Sequence, residues 1–343
     1  MRPAEPGREA EAEPGPEPES EPSNPEDRAR QELLEEHGFE HPEAVRKGGR
    51  VSPSDEAIVE HWEDEYFPFL GFIAEPTFAA PGPLRKRTEA VDLSKEILIP
   101  AGMAHIGDRD IPGARPARTI PLPAFYIDRF EVANQRYQEF VRATSRATPY
   151  VHENWAAVYN WFRESHPKGL GEVPVVMVTW NDADTYCRWA GRRLPTEEEW
   201  ERAARGPDGR SWPWGNQFGS RKANLASRLS GPLADLASWD RFEKGWTGSK
   251  KSEIAAVGSY PDDRTAENIM DMAGNVSEWV AGTFSLYPGA DTNERKGLGS
   301  KLRVARGNSW GNRDYSTSMA VRYPYLEDRV DSLIGFRCAR DAE

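Results

Sequence analysis

From about residue 95 onward, Gly, Pro and Trp interrupt the chain so often that only three stretches keep a helical period. "NQRYQEFVRAT" reads as a helix with Asn134 as its N-cap and Tyr137, Phe140 and Val141 on one face. "NDADTYCRWAG" reads as a helix starting at Asn181 or Asp182, burying Ala183, Tyr186, Cys187 and Ala190, and closing at Gly191. "LPTEEEWERAARG" carries a capping box, in which Thr196 bonds the amide of Glu199 and Glu199 reaches back. The acids Glu197 to Glu199 suit the positive end of that helix, and Arg202, Arg205 and Gly206 suit its close. The rest reads as short strands and irregular connections without an internal repeat. The expectation for residues 95–343 is one compact α+β domain with short strands, few helices and much irregular structure.

Residues 1–30 differ in kind. They are Pro/Glu-rich and contain no aromatic or β-branched residue, so they cannot bury enough apolar surface to offset their ordering entropy and are expected to be disordered. Residues 31–94 read as a helical extension and linker. "ARQELLEEHGF" (29–39) and "SDEAIVEHWEDEYFPFLGF" (54–72) are expected as short helices, the second with Ile58, Val59, Trp62 and Tyr66 on one stripe. There is no apolar secretory core near the start, and no stretch approaches the roughly twenty apolar residues that span a bilayer. A cytoplasmic location without a membrane span is the expectation. The net charge of −12 disfavours a nucleic-acid partner, although the acidic tail carries much of that excess. Twelve Trp fit an aromatic core better than a set of pocket walls.

Four stretches could carry chemistry. "RGNSWGNRDYSTS" (306–318) has the polarity and turn residues of a pocket wall but no Cys, His or Glu to act as nucleophile or base. His37, His41 and Glu43 spell H-x3-H-x-E, with His61 nearby, but Gly38 and Pro42 break the helix that this metal spacing needs, and the stretch reads as a surface turn. "DMAGNVSEW" (271–279) offers the carboxylates of Asp271 and Glu278 around a turn at Gly274 and Asn275, which suits either Ca²⁺ or a solvated loop. The two cysteines, Cys187 and Cys338, form no zinc-type cluster; they are either two buried apolar residues or one staple across the domain.

The motifs "MVTWNDADTYCRWAGRRLPTEEEWERAARG" (177–206), "WPWGN" (212–216), "DMAGNVSEWV" (271–280), "RGNSW" (306–310) and "GFRCAR" (335–340) occur in the order and spacing of the formylglycine-generating-enzyme, or sulfatase-modifying-factor, family, which the chain resembles over about residues 95 to 341. The resemblance implies a fold related to C-type lectins and a structural disulfide between Cys187 and Cys338. It also implies structural calcium held by Asp271 and Glu278 with the carbonyls of Gly274 and Val276, and a second calcium near Asn224 and the carbonyl of Leu225. In that family a strand of the "GNSW" type leads to two thiolates that bind copper. Here those positions hold Asn312 and Thr317. An amide and a hydroxyl do not replace soft sulfur ligands, so neither copper at this pair nor formylglycine generation by that route is expected.

Three roles follow. The first is a binding member of the family, in which Ser309, Trp310, Asn312, Arg313, Asp314 and Tyr315 hold a peptide or small polar ligand through charge pairing and stacking. The second is a metal-dependent oxidoreductase without thiolates, which would have to draw on His105, His152 or His166. The third is a subunit of a larger assembly that docks a protein partner through the acidic tail and the 54–72 helix. Deletion of residues 1–30 is expected to move the thermal midpoint of the remainder by no more than about a degree or two; a fall of several degrees would show that the tail packs on the domain.

Overall fold

Strand β4 (Phe125–Asp128) alternates inward and outward residues, which makes it the middle of a three-stranded antiparallel sheet. Phe125 and Ile127 enter the core, while Tyr126 faces out beneath the Arg340 guanidinium, 3.8 Å from its ring centre. Its neighbours are β1 (Glu96–Ile99) and β9 (Ala339–Asp341). Strands β2 (Gly102–Ile106) and β3 (Arg118–Leu122) form a separate antiparallel pair. A four-stranded sheet follows in the order β7 (Arg322–Leu326), β6 (Leu302–Arg306), β5 (Ser277–Trp279), β8 (Ile334–Phe336), antiparallel except between β5 and β8. Every residue of β5 and β8 is buried, the pattern of strands covered on both faces. This computed structural model describes residues 92, 94–111, 113–152, 154–230, 252–290, 301–311 and 318–342. The chain divides into two units, residues 1–51 and 52–343, and all described residues belong to the second. The expected tail, the two N-terminal helices and the H-x3-H-x-E motif lie outside the described residues. No helix among the described residues is long and apolar enough to cross a membrane.

The helices begin where local chemistry satisfies their first amides. Helix α1 (Asn134–Thr144) starts after Ala133, without a side-chain cap, so Asn134 is its first residue and not its N-cap. The Asn134 amide is drawn instead to the carbonyl of Leu170, at 2.9 Å. Helix α2 (Trp180–Trp189) starts earlier than expected because Thr179 and Asp182 form a capping box. It buries Ala183, Tyr186 and Cys187 and leaves Ala190 half-buried. Gly191, at φ +72, closes it, with Arg192 N–H on the Cys187 carbonyl at 2.8 Å. Helix α3 (Glu197–Arg205) has the Thr196–Glu199 capping box and ends at Gly206. Cys187 and Cys338 form a disulfide with their Cα atoms 5.6 Å apart, packed among Tyr137, Phe140 and Phe336. Closing so long a loop constrains the unfolded chain by about 5 kcal/mol in the chain-entropy account.

Helix α3 positions the rest. Its acids do more than complement a helix dipole. Glu197 and Glu201, one turn apart, are buried against Arg306 of β6 and Arg322 of β7. Arg306 donates to Glu197 at 3.0 Å and to Glu201 at 2.6 Å, while Arg322 holds both oxygens of Glu197. Arg205 donates to Glu201 at 2.6 Å, and the Tyr287 hydroxyl donates to Glu197 at 3.1 Å. Burial alone would raise the Glu197 carboxyl, but Arg322 and Arg306 outweigh it and hold it below its usual value. A depressed carboxyl contributes stability that is present above its unfolded value of about 4.5 and is lost as the pH falls through the folded one. Glu197→Gln is therefore expected to destabilise the domain by about 3–5 kcal/mol at neutral pH, because two buried guanidiniums lose a shared counter-charge. The gap from the parent should narrow as the pH falls below about 4.5 in denaturant titrations; a neutral effect at pH 7 would show that the network is not stabilising.

Candidate functional site

The segment that begins "RGNSW" leaves β6 through a tight passage. Gly307 has φ +76, and a Cβ there would lie 3.0 Å from both the Met272 carbonyl and the Trp200 ring, so glycine is required. Its carbonyl accepts the Ser277 hydroxyl at 2.9 Å. Asn308 accepts the Tyr323 hydroxyl at 2.9 Å. Ser309 is fully buried and accepts the Gly311 amide at 3.2 Å. Trp310 is 1% exposed and packs with Tyr159, Val176, Ile254 and Val276, its backbone N–H on the Asn275 carbonyl at 3.0 Å. The expectation that Trp310 offers a stacking face is thus corrected: its indole completes a core. Ser309 likewise lies beneath the surface. Asn312, Arg313, Asp314, Tyr315 and Thr317 lie outside the described residues.

The neighbouring loop "DMAGNVSEW" packs directly beneath. Asp271 and Asn275 adopt left-handed φ values of +59 and +72, which for residues with side chains requires a surround that fixes them. A Cβ on Gly274 would lie 2.5 Å from the Asn224 carbonyl, the same oxygen that accepts the Asn275 amide at 2.8 Å. The Asn224 side chain is occupied too: it donates to Glu253 O and Asn275 Oδ1 and accepts the Tyr260 hydroxyl. Leu225 is core. Asp271 Oδ2 accepts the Gly258 amide at 2.6 Å.

Glu278 is held differently from the expectation. Its oxygens accept Trp200 Nε1 at 2.8 Å and the Arg337 guanidinium at 2.6 and 2.7 Å. The negative charge of Glu278 is therefore met by an arginine. Arg337 also donates to the carbonyls of Asp128, Arg129 and Met270. Sequence reasoning missed this arginine, and it missed two further buried carboxyls. Glu131 accepts the Val276 amide at 3.2 Å and Asn275 Nδ2 at 3.0 Å. Asp263 accepts the Ala273 amide at 3.1 Å. Burial first, then Asp271 and Glu278, pushes the Glu131 carboxyl well above its usual value; burial and Asp271 do the same for Asp263. Four buried carboxyl groups thus surround one guanidinium. The only sequence signal was the arginine inside "GFRCAR", next to Cys338.

Among the described residues, no three His, Cys, Asp or Glu side chains gather as a metal cage. His105 on β2 lies 3.2 Å from the Thr119 hydroxyl, His152 packs edge-on to Tyr150, and His166 packs edge-on to Trp161. They do not form the histidine–carboxylate triad that a thiolate-free oxidoreductase would need. Both cysteines of the chain are in the disulfide, so no thiol remains for nucleophilic or soft-metal chemistry.

The comparisons with known proteins agree with this architecture. Residues 82–342 match the family model described as "Sulfatase-modifying factor enzyme 1-like domain". The chain is 32% identical to the mouse protein named "Inactive C-alpha-formylglycine-generating enzyme 2", over 67% of this chain and 79% of that protein. It is 30% identical to mouse "Formylglycine-generating enzyme", over 76% of this chain and 79% of that one. Among solved structures, PvdO from Pseudomonas aeruginosa shares the fold, with a TM-score of 0.54 at 23% identity over 73% of this chain and 95% of its own. The chain belongs to the sulfatase-modifying factor enzyme 1-like family.

Proposed function

We propose that this protein is a family member that does not generate formylglycine and instead binds a peptide or small polar ligand beside the 306–318 segment. One observation carries the reading: the chain's two cysteines are joined to each other, and Asn312 and Thr317 stand where the family's copper-binding thiolates would be. Identity does not discriminate, since the relative named as inactive and the one named as the enzyme match to 32% and 30%. The cysteine inventory supports the inactive reading. In the sequence the polar run Asn312, Arg313, Asp314 and Tyr315 follows Trp310 after one glycine, and the Trp310 indole is buried. Charge-assisted hydrogen bonds from such side chains suit a polar peptide.

The experiment is mass spectrometry of a C-x-P-x-R peptide incubated with the protein, copper and oxygen. No conversion of its cysteine to an aldehyde is expected. Conversion that required the protein would overturn the reading. In the same mixture, Arg313→Ala is expected to weaken peptide retention severalfold, without changing the fold; retention unchanged by Arg313→Ala would count against this segment as the binding element.

Structural calcium remains part of the same proposal. What supports it is charge: Asp271 and Glu278 belong to a group of four buried carboxyls served by one guanidinium, an excess that a hard divalent cation would balance. Asp271 and Glu278, with the carbonyls of Gly274 and Val276, would hold the ion, which would supply the charge that Arg337 alone does not. Added Ca²⁺ is expected to raise the thermal midpoint and chelator to lower it, with Asp271→Asn reducing the response. Indifference to both would remove calcium from this protein.

A further inference from the structure

The β2–β3 pair and the turn after α3 enclose a cleft of about 330 Å³ whose walls include His105, Arg109, Arg118, Arg205 and Asp208. Three guanidiniums and an imidazole thus face one carboxylate, in a chain whose net charge is −12. Some of these groups are occupied. Arg205 donates to Glu201 and to the carbonyls of Gly107, Gly209 and Arg210, so it shapes the floor. Asp208 is held by Arg210 at 2.9 Å.

The remaining three are not so occupied. Arg118 is fixed by Glu198 at 2.8 Å and by the Tyr287 ring 4.1 Å beneath it, yet its Nε is buried without a hydrogen-bond partner. A buried charged donor left unmade is costly, so a small shift of the partly exposed Arg118 side chain that brings Nε to a ligand acceptor recovers that cost. The Thr119 hydroxyl lies 3.2 Å from Nδ1 of His105; in the tautomer where that hydroxyl donates, Nε2 carries the ring proton and can donate to a ligand. The ring is further confined by Gly209, at φ +67, where a Cβ would come within 2.6 Å of the His105 side chain. Arg109 is exposed and, among the described residues, has no ion-pair partner. Its side chain lines the cleft.

We propose that this cleft binds a phosphate group, free or carried by a small molecule, with Arg109, Arg118 and His105 Nε2 as its donors. A phosphate has three terminal oxygens to match three separate donor side chains, whereas a carboxylate has two. The cleft volume leaves space beyond the phosphate itself for a small attached group.

The test is titration of the full-length protein with inorganic phosphate and with glycerol 3-phosphate, at ionic strength matched with sodium chloride, read by calorimetry and by thermal midpoint. Saturable binding is expected, with acetate at least tenfold weaker. Tighter binding of glycerol 3-phosphate would identify a phosphate ester as the ligand, and tighter binding of inorganic phosphate the free anion. Arg109→Ala and His105→Ala are each expected to weaken binding about tenfold, the loss of one charge-assisted or strong hydrogen bond. Both side chains are exposed, so these variants keep the fold where Arg118→Ala could disturb its contact with Tyr287. No saturable phosphate binding, affinity unchanged in both variants, or acetate binding as tightly as phosphate would each overturn the proposal.

Discussion

A row of charge crosses the buried sheet, and the rest of the domain is arranged to neutralise it. Arg322, Arg306 and Glu278 lie opposite one another on β7, β6 and β5. Two like charges opposite each other on neighbouring strands repel, and in a buried sheet that repulsion is poorly screened. Glu197 relieves it by accepting from both arginines, and Glu201 takes the second nitrogen of Arg306. Glu278 does not pair with Arg306 although it faces it. It turns to Arg337 instead, while the Trp200 indole stands between the two groups, donating to Glu278 and lying under Arg306 at 5.5 Å. Helix α3 is thereby fixed in place: Glu197, Trp200 and Glu201 fall on one helical face, where the two acids neutralise Arg306 and Arg322 and the indole N–H gives Glu278 a further donor. Replacing such a network wholesale by apolar groups can be neutral, but removing one member leaves a buried charge, so the parts constrain one another.

This arrangement explains what was legible in the sequence. The capping box of α3 and the glycine stop of α2 are local, because each is satisfied within a few residues of where it is written. The start of α2 was equally local: Thr179 and Asp182 spell a capping box, but Asp in place of Glu or Gln at the last position made it easy to pass over. Asn134 misled because an Asn before a helical run has two uses, and here the amide serves the 170–174 segment across the fold. The ionic row was not legible. Glu197 meets Arg306 and Arg322 from 109 and 125 residues away, and nothing in a local period announces such partners. Read alone, the acids of "TEEEWE" were adequately explained by the helix dipole.

The same contrast holds at the candidate site. The strand and turn could be placed by motif, and the disulfide was implied by resemblance, but Trp310 could not be assigned. A tryptophan in a polar turn has the composition of a pocket wall, and only the packing of Val276, Ile254 and Tyr159 around it shows a core residue. Glu131, Asp263 and Arg337 were missed for a related reason. Each lies in a stretch already explained by another role: the approach to α1, an irregular turn, and the residue beside a cysteine.

The framework also shows how the two ends of the 306–318 segment are held. Arg306 lies just before the 307–318 segment, and its guanidinium donates to the carbonyls of Ala320 and Met319 just after it. One side chain, already fixed by Glu197 and Glu201, thus clamps both ends of that segment. Ser309 and Trp310 turn into the core before residue 312 is reached, and the Met319 amide bonds the Ser211 carbonyl on the return. The disulfide that constrains the chain joins α2 to the strand end at Cys338, outside the segment. Among the described residues, the ends of the segment are thus held by residues 306, 309, 310, 319 and 320. These contacts are made by residues outside 312–317, so the fold that holds the two ends of the segment does not by itself dictate the chemistry between them.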